Sequence, residues 1–280
     1  MILLKSAAEL SAYIKKVKAN GISVGFIPTM GALHKGHISL IERSKKENGL
    51  TVCSIFVNPT QFNNPEDFKK YPITIENDID MLEKWGCDVL FLPEVNEVYP
   101  PAFVKLHYEL GYLETLLEGK YRPGHFQGVC QVVDRLLNIV MPDKVYLGQK
   151  DYQQCMVITK MVELTGHQTA IIICPTLREP DGLAMSSRNL RLDTVQRKLA
   201  IKIYETLLLV KKGIKKGSMS ALKLKAAENL TSAGYKVDYV EIADATTLHL
   251  QDEWDGKKKL VALVAAYLDD IRLIDNMVLN

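Results

Sequence analysis

The residues with the most chemistry to offer lie in IPTMGALHKGH, where His34 and His37 stand three apart between an apolar run and the start of a helical pattern. Gly31 and Gly36 let the backbone turn tightly and approach a ligand closely. A helix opening here would present free N–H groups and a positive dipole end to an anion. Both rings, one helical turn apart, could face the same phosphate. Gly31 and Gly36 satisfy G-x-x-x-x-G, but His37 and Ile38 stand where a Walker P-loop needs Lys and Ser/Thr, so that reading fails. Two histidines could bind zinc, yet no third ligand is obvious and H-E-x-x-H is absent. Taken alone, the segment also fits turn glycines with two solvated histidines.

Three further clusters carry polar chemistry. In IFVNPTQFNNPEDF the amides Asn58, Gln61, Asn63 and Asn64 gather around two prolines. Gln61 has both a donor and an acceptor, enough to read a hydroxyl or carboxylate of a small substrate. An ordinary turn-rich loop is the alternative. In YLGQKDYQQ, Gly148 ends a short strand and Lys150 and Asp151 open a helix. Lys150 could neutralise a phosphate as a point charge. Asp151 could cap the helix, or hold a hydroxyl or Mg²⁺ through water, and Gln154 would face the same cleft. A capped helix with an exposed lysine is the bland reading. In DGLAMSSRNLRL, Ser186 and Ser187 supply hydroxyls and Arg188 a guanidinium fork suited to phosphate, unless the segment is simply a solvated loop.

These groups need a scaffold, and the hydrophobic pattern describes one. Residues 6–19 read as a helix with Ser6 and Glu9 spaced as a capping box, and 22–28 as a buried strand ended by proline. A helix from about residue 36, a strand at 51–57, a helix over 75–85 and a strand near CDVLFLP follow. Then come a helix over 128–140 stopped at Pro142, the strand KVYLG, a helix over 151–165 and the strand QTAIIICP. Such alternation argues for a parallel sheet covered by helices, with ligands beyond the carboxyl ends of its strands. Residues 176–193 turn polar and read as a hinge or linker that could close over a nucleotide. Beyond them lie helices at 194–213 and 218–233, separated by the solvated turn KKGIKKGS, and the strands KVDYVEIAD, LVALVAAYL and DIRLID. The expected division is therefore 1–176 and a smaller α+β domain, 177–280, that covers a site on the first.

Composition agrees. With 280 residues, 47% hydrophobic and 24% charged, the chain can bury a core without metal or disulfide staples. A net charge of +2 carries no nucleic-acid footprint. No apolar stretch reaches the ~18–20 residues of a membrane span, and the start lacks the basic n-region of a signal peptide. Five cysteines, odd in number and without C-x-x-C spacing, read as buried reduced thiols of a cytoplasmic protein. No internal repeat or low-complexity tract is present.

Taken in order, PTMGALHKGH, SIFVNPTQF followed by EDF and YP, RPGHFQGV, GQKDYQQ, DGLAMSSRN and IRLIDN span nearly the whole chain. This set resembles the pantoate–β-alanine ligase (pantothenate synthetase) family. HKGH corresponds to the HIGH signature of class I nucleotidyltransferases, and MSSRN takes the place of their KMSKS loop. The resemblance implies a Rossmann-like parallel α/β domain with a smaller C-terminal α+β lid, usually in a homodimer in the cytoplasm. It also implies a two-step reaction using ATP with Mg²⁺. Pantoate would attack the α-phosphorus to give pantoyl adenylate and pyrophosphate, and β-alanine would displace AMP. No nucleophilic side chain is needed for this, so catalysis would be positioning and charge stabilisation.

By motif, the catalytic groups would be His37, the implied proton donor, with His34, Lys150 and Arg188. ATP would lie along Met30, Gly31, Ala32, Leu33, His34, Lys35, Gly36 and His37, on Gly148, Gln149, Lys150 and Asp151, beside Leu177, and under Met185, Ser186, Ser187 and Arg188. Pantoate would meet Gln61, Gln154, Arg122 and His125, with Gln61 also near β-alanine; metal ligands are left unassigned. The chain departs from the family pattern at Gln149, where Glu is frequent, at Leu177, where Val is common, and at Gln127, where Arg or Asp is frequent. Two rivals remain at this stage. Another HIGH-motif nucleotidyltransferase acting on a different small substrate would need no amine site. A nucleotide-binding regulatory module would need no turnover.

Overall fold

The computed structural model describes residues 1–63 and 65–280, so Asn64 of the amide cluster lies outside the described residues. The chain divides into two compact units, Met1–Gln149 with Gln153–Pro175, and Lys150–Tyr152 with Thr176–Asn280.

The first unit is built on a six-stranded sheet. Its strands are β1 (Ile2–Leu4), β2 (Val24–Thr29), β3 (Leu50–Ile55), β4 (Val89–Phe91), β5 (Lys144–Gly148) and β6 (Ala170–Cys174). Their order is β1-β4-β3-β2-β5-β6 and every pairing is parallel. Strand β3 is buried throughout and β2 nearly so, as suits the centre of such a sheet, whereas Ile2, Leu3 and Ile173 on the two edge strands are exposed.

The chain leaves β2 towards β3 on one side and later returns to β5 on the other, so the switch point falls between β2 and β5. These two strands pair only at Gly25–Lys144 and Phe26–Val145. Pro28 was expected to end its strand, yet it lies inside β2. Val24 accepts from Asp143 on the β5 side, while Thr29 accepts from Phe56 on the β3 side. By alternation Pro28 faces β5 beyond the last pairing, where a missing N–H costs nothing. Proline therefore marks where the two central strands part.

Helices α1 (Ala7–Ala19), α2 (Lys35–Glu47), α3 (Pro65–Lys69), α4 (Ile75–Lys84), α5 (Val95–Val98), α6 (Leu117–Tyr121), α7 (His125–Val140) and α8 (Tyr152–Thr165) complete the alternation. In α1, Leu10, Ile14 and Val17 form the buried stripe; Ser6 caps it by accepting from Glu9, half of the expected box. Helix α7 begins three residues before the expected Gly128, because Gly124 takes a left-handed φ of 79° and turns the chain straight into it. Most of α7 is buried. The short elements between residues 59 and 121 escaped the sequence reading because none has a full amphipathic period.

In the second unit, β8 (Lys236–Asp244), β10 (Leu260–Leu268) and β11 (Ile271–Val278) form an antiparallel sheet in the order β11-β10-β8; β7 (Gly217–Ser218) and β9 (Glu253–Trp254) pair separately. Helices α10 (Lys202–Gly213) and α11 (Ser220–Ser232) cover it through Ile203, Leu207, Val210, Ala226 and Leu230. The single helix expected over 194–213 is interrupted after α9 (Thr194–Leu199), although Ala200 and Ile201 keep helical angles. The expected hinge, 176–193, is folded onto its own unit. A bridge joins Arg178 to Ala184, Asn189 donates to the Ala184 carbonyl at 3.0 Å, and Arg197 pairs with Asp181 at 2.7 Å.

Among the described residues, no helix is long and apolar enough to cross a membrane. All five cysteines are free and buried, as their apolar surroundings suggested. Burial pushes the Cys87 thiol up to about 11 and the Cys130 thiol to about 12.

Candidate active site

The turn after β2 is held from below. Thr29 Oγ1 donates to the Ser54 carbonyl (2.7 Å) and accepts from the Gly31 N–H (3.2 Å). Gly31 and then Ala32 take left-handed φ values of 82° and 48°. That conformation strains alanine, so something must hold it. The buried carboxylate of Asp78 does so, accepting from Ala32 N–H (2.9 Å), Leu33 N–H (2.8 Å) and the Thr74 hydroxyl (3.1 Å). Charge-assisted bonds of this kind are roughly twice as strong as neutral ones. A cavity of about 460 Å³ opens beside this turn, lined in part by Met30, Ala32, Phe56, Ile73 and Asp78.

His34 is the N-cap of α2. Its Nδ1 accepts from the Gly36 N–H at 3.1 Å, and His37 Nδ1 accepts from the His34 N–H at 3.3 Å, a reciprocal capping box made of two imidazoles. An Nδ1 that accepts carries no proton, so each neutral ring keeps its proton on Nε2. The rings lie 4.0 Å apart, centroid to centroid. Two Nε2–H donors thus stand side by side at a helix N-terminus. Lys35 is exposed beside them.

The amide loop forms the next layer. Gln61 Nε2 donates to Met30 Sδ at 2.8 Å and its Oε1 accepts from Asn58 Nδ2 at 3.3 Å. Asn58 is buried and also bonds Gly128 O, Thr60 and Tyr99, so it organises the turn; Asn63 is exposed. His125 Nδ1 lies 2.8 Å from the Gln61 carbonyl, which can only accept, so Nδ1 carries the proton. Nε2 then accepts from Arg122 Nη1 at 3.0 Å, and Arg122 also pairs with Glu118 at 3.6 Å. Arg122 and His125 therefore brace the backbone of Gln61. Helix α7 closes on this turn at Gly128, where a Cβ would collide with the Thr60 carbonyl and come within 2.8 Å of Gln61 Cα. On α8, Gln154 is half-buried, while its neighbour Gln153 is the buried structural amide, bonded to Glu118 N, Leu113 O and Leu116 O. Gln127 bonds both the N–H and the carbonyl of Tyr108 (3.0 and 2.9 Å), a pairing that requires an amide.

In the second unit, Lys150, Ser186 and Arg188 line one small cavity with Arg272 and Asp275. Lys150 Nζ lies 3.3 Å from Asp151, whose side chain is 44% exposed. Ser186 caps the short turn Ser187–Arg191 by accepting from the Arg188 N–H at 3.3 Å. Met185 N–H bonds the carbonyl of Leu177, whose side chain is exposed. Gly148 ends β5, and Gln149 is the last residue of the first unit before the chain passes into Lys150–Tyr152 of the second. Asp78, Gly128 and Asp275 are the residues that sequence reasoning missed. Each acts on a segment far away in the chain, and its own neighbourhood does not show which one. Among the described residues, no three His, Cys, Asp or Glu side chains gather as metal ligands.

A parallel α/β sheet whose central strand runs into an H-x-G-H helix start defines a Rossmann-like protein of the HIGH-motif nucleotidyltransferase type. Within that class the chain belongs to the pantoate-beta-alanine ligase family, whose model matches residues 2–278. It is 45% identical over 282 residues to the pantothenate synthetase of Cytophaga hutchinsonii, covering 100% of this chain and 99% of the relative. The crystal structure of pantothenate synthetase from Thermus thermophilus superposes with a TM-score of 0.91 at 40% identity, covering 99% of both chains. That of pantoate-beta-alanine ligase from Francisella tularensis, complexed with beta-gamma ATP and beta-alanine, gives 0.82 at 38% identity over 99% of this chain and 97% of its own.

Proposed function

We propose that the chain condenses pantoate with β-alanine, using ATP and releasing AMP and pyrophosphate. The observation that carries this reading is the paired-imidazole start of α2 at the switch point, in a chain matched to the ligase family from residue 2 to residue 278. A pantoate carboxylate oxygen attacks the α-phosphorus, a C–O–P linkage forms and pyrophosphate leaves. The amine of β-alanine then attacks the acyl carbon, and AMP leaves with the bridging oxygen.

The Nε2–H groups of His34 and His37 face the growing negative charge on the phosphoryl oxygens, with His37 the proton donor. Preorganised donors of this kind cost no reorganisation during the reaction. The positive end of the α2 dipole adds to this, on a turn that Asp78 holds through the Ala32 and Leu33 N–H groups. Lys150 and Arg188 carry the remaining phosphate charge, with Ser186 and Ser187 as hydroxyl donors; Met30 to His37, Gly148 to Asp151, Leu177 and Met185 complete the nucleotide's surroundings. Gln61 and Gln154 read the hydroxyls and carboxylate of pantoate, Gln61 also meets β-alanine, and Arg122 and His125 hold Gln61 in place.

Mg²⁺ accompanies ATP. Such an ion keeps several waters, so Asp151, a partly exposed carboxylate, would hold it through water. Once bound, it would supply positive charge against the phosphates of ATP. The C-terminal domain, 177–280, serves as the lid, the protein works as a homodimer, and its place is the cytoplasm, where thiols stay reduced.

The test omits pantoate and β-alanine in turn while AMP and pyrophosphate are followed. Pyrophosphate is expected to require pantoate, and net AMP with pantothenate to require both. Pyrophosphate release that ignores pantoate would overturn the proposal in favour of a nucleotidyltransferase with another substrate.

A further inference from the structure

The motif IRLIDN, residues 271–276, has no part in the chemistry above, yet its last two residues are among the most buried polar groups of the second unit, Asp275 at 5% and Asn276 at 2% exposure. On β11 they face Val264 and Leu263 of β10 in antiparallel register. Asp275 accepts both arms of the Arg178 guanidinium, at 2.6 and 3.0 Å, and the backbone N–H of Asn276 at 2.8 Å. Arg178 also donates to the carbonyls of Gly182 (3.0 Å) and Asn276 (3.2 Å) and stacks on the Tyr204 ring, 4.6 Å from its centroid. The segment leading to Ser186 and Arg188 is thereby tied to β11. One residue further on, Asn276 Nδ2 donates to the main-chain carbonyl of Lys150 at 2.8 Å. Two consecutive residues of one strand therefore hold both loops that bring cations to the same cavity.

We infer that Asn276 is a positioning residue for Lys150, with Asp275 and Arg178 fixing Asn276 in turn. A lysine ammonium is a point charge on a flexible stem, so its reach depends on where its backbone is anchored. The short turn Gln149–Asp151 gives Lys150 little anchorage of its own. The side-chain partner, Asp151, is a partly exposed carboxylate at 3.3 Å, a weak pair that a phosphate can displace. The short, partly buried bond from Asn276 is the firmer one, and it leaves the ammonium available to the cavity. The inference rests on the reading of Lys150 as a phosphate-binding group and deepens it.

The test measures pantoate-dependent exchange of labelled pyrophosphate into ATP for Asn276→Ala, Lys150→Ala and the double variant. Misplacing a catalytic group by about 1 Å can cost ~10²-fold, so Asn276→Ala is expected to lose about 10–100-fold in kcat/KM for ATP. The double variant is expected to be no worse than Lys150→Ala alone, because a residue that acts only through Lys150 has nothing left to act on. Losses that multiply in the double variant would overturn the inference and make Asn276 a general structural residue. So would a normal Asn276→Ala rate beside a crippled Lys150→Ala. A normal rate for Lys150→Ala would instead remove the reading of Lys150 itself. Should Asn276→Ala fail to fold, Asn276→Ser, which keeps a shorter donor, is put through the same cycle with the same two readings.

Discussion

Asp78 binds the backbone of Ala32 and Leu33 with its two carboxylate oxygens, at 2.9 and 2.8 Å, from 46 and 45 residues further along the chain. The left-handed turn before α2 exists in this form because a buried anion collects its N–H groups. Asp78→Asn sets an amide donor against one of those N–H groups. A buried donor left unsatisfied costs about 1–3 kcal/mol, so the free energy of unfolding is expected to fall by that amount in denaturant titrations. Pyrophosphate exchange should fall further than the loss of folded protein explains, since the turn also aims His34 and His37. Unchanged exchange in folded Asp78→Asn would show that the turn keeps its shape without the carboxylate.

His37→Ala removes one of the two Nε2–H donors and half of the imidazole capping box. By analogy with oxyanion-hole donors, kcat for exchange is expected to drop about 10²–10³-fold. The KM for ATP should change much less, because the interaction strengthens only as charge develops. Steady-state exchange kinetics separate the two.

Gly128→Ala tests the packing behind Gln61. The added methyl meets the Thr60 carbonyl and Gln61 Cα. Overpacking of this kind costs about 1–3 kcal/mol, and relief comes most easily by moving the 58–61 turn. The expected result is lower stability with a raised KM for pantoate and a nearly unchanged KM for ATP. Equal changes in both constants would place the damage elsewhere.

Acid should loosen the seam between α2 and β5. Glu47 accepts from Arg43 (3.0 Å), Lys144 (3.1 Å) and Tyr146 (3.0 Å), and the Arg43 bond, followed by the other two, holds its carboxyl near 2 rather than 4.5. A folded value below the unfolded one means that its contribution is complete above pH 4.5 and is lost as pH falls through about 2. Glu47→Gln should therefore flatten the stability profile across that window and leave its slope near neutral pH unchanged, as denaturant titrations at several pH values would reveal.

What the sequence made legible was local. The β2 run, the glycines and the two histidines sit within fourteen residues, so spacing alone brought the rings to a helix start. The parallel sheet followed from alternation over the first 175 residues. Asp78 was illegible because a carboxylate in an amphipathic helix looks like any solvated acid until the fold carries it under a turn 46 residues earlier. Gly128 looked like an ordinary helix residue, and its close approach to Thr60 appears only when α7 packs. The polar stretch 176–193 suggested a free hinge by composition, but Arg178 finds Asp275 97 residues later. Pro28 suggested a strand end because the pattern cannot show on which side pairing has stopped.

The central claim is that a pantoate oxygen becomes bonded to the α-phosphorus of ATP. Pantoate carrying ¹⁸O in its carboxylate, incubated with ATP, Mg²⁺ and β-alanine, settles it by mass spectrometry of the products. Transfer through an acyl adenylate delivers one labelled oxygen to AMP and leaves one in pantothenate. AMP free of label, formed at the same rate as pantothenate, would contradict the adenylate route.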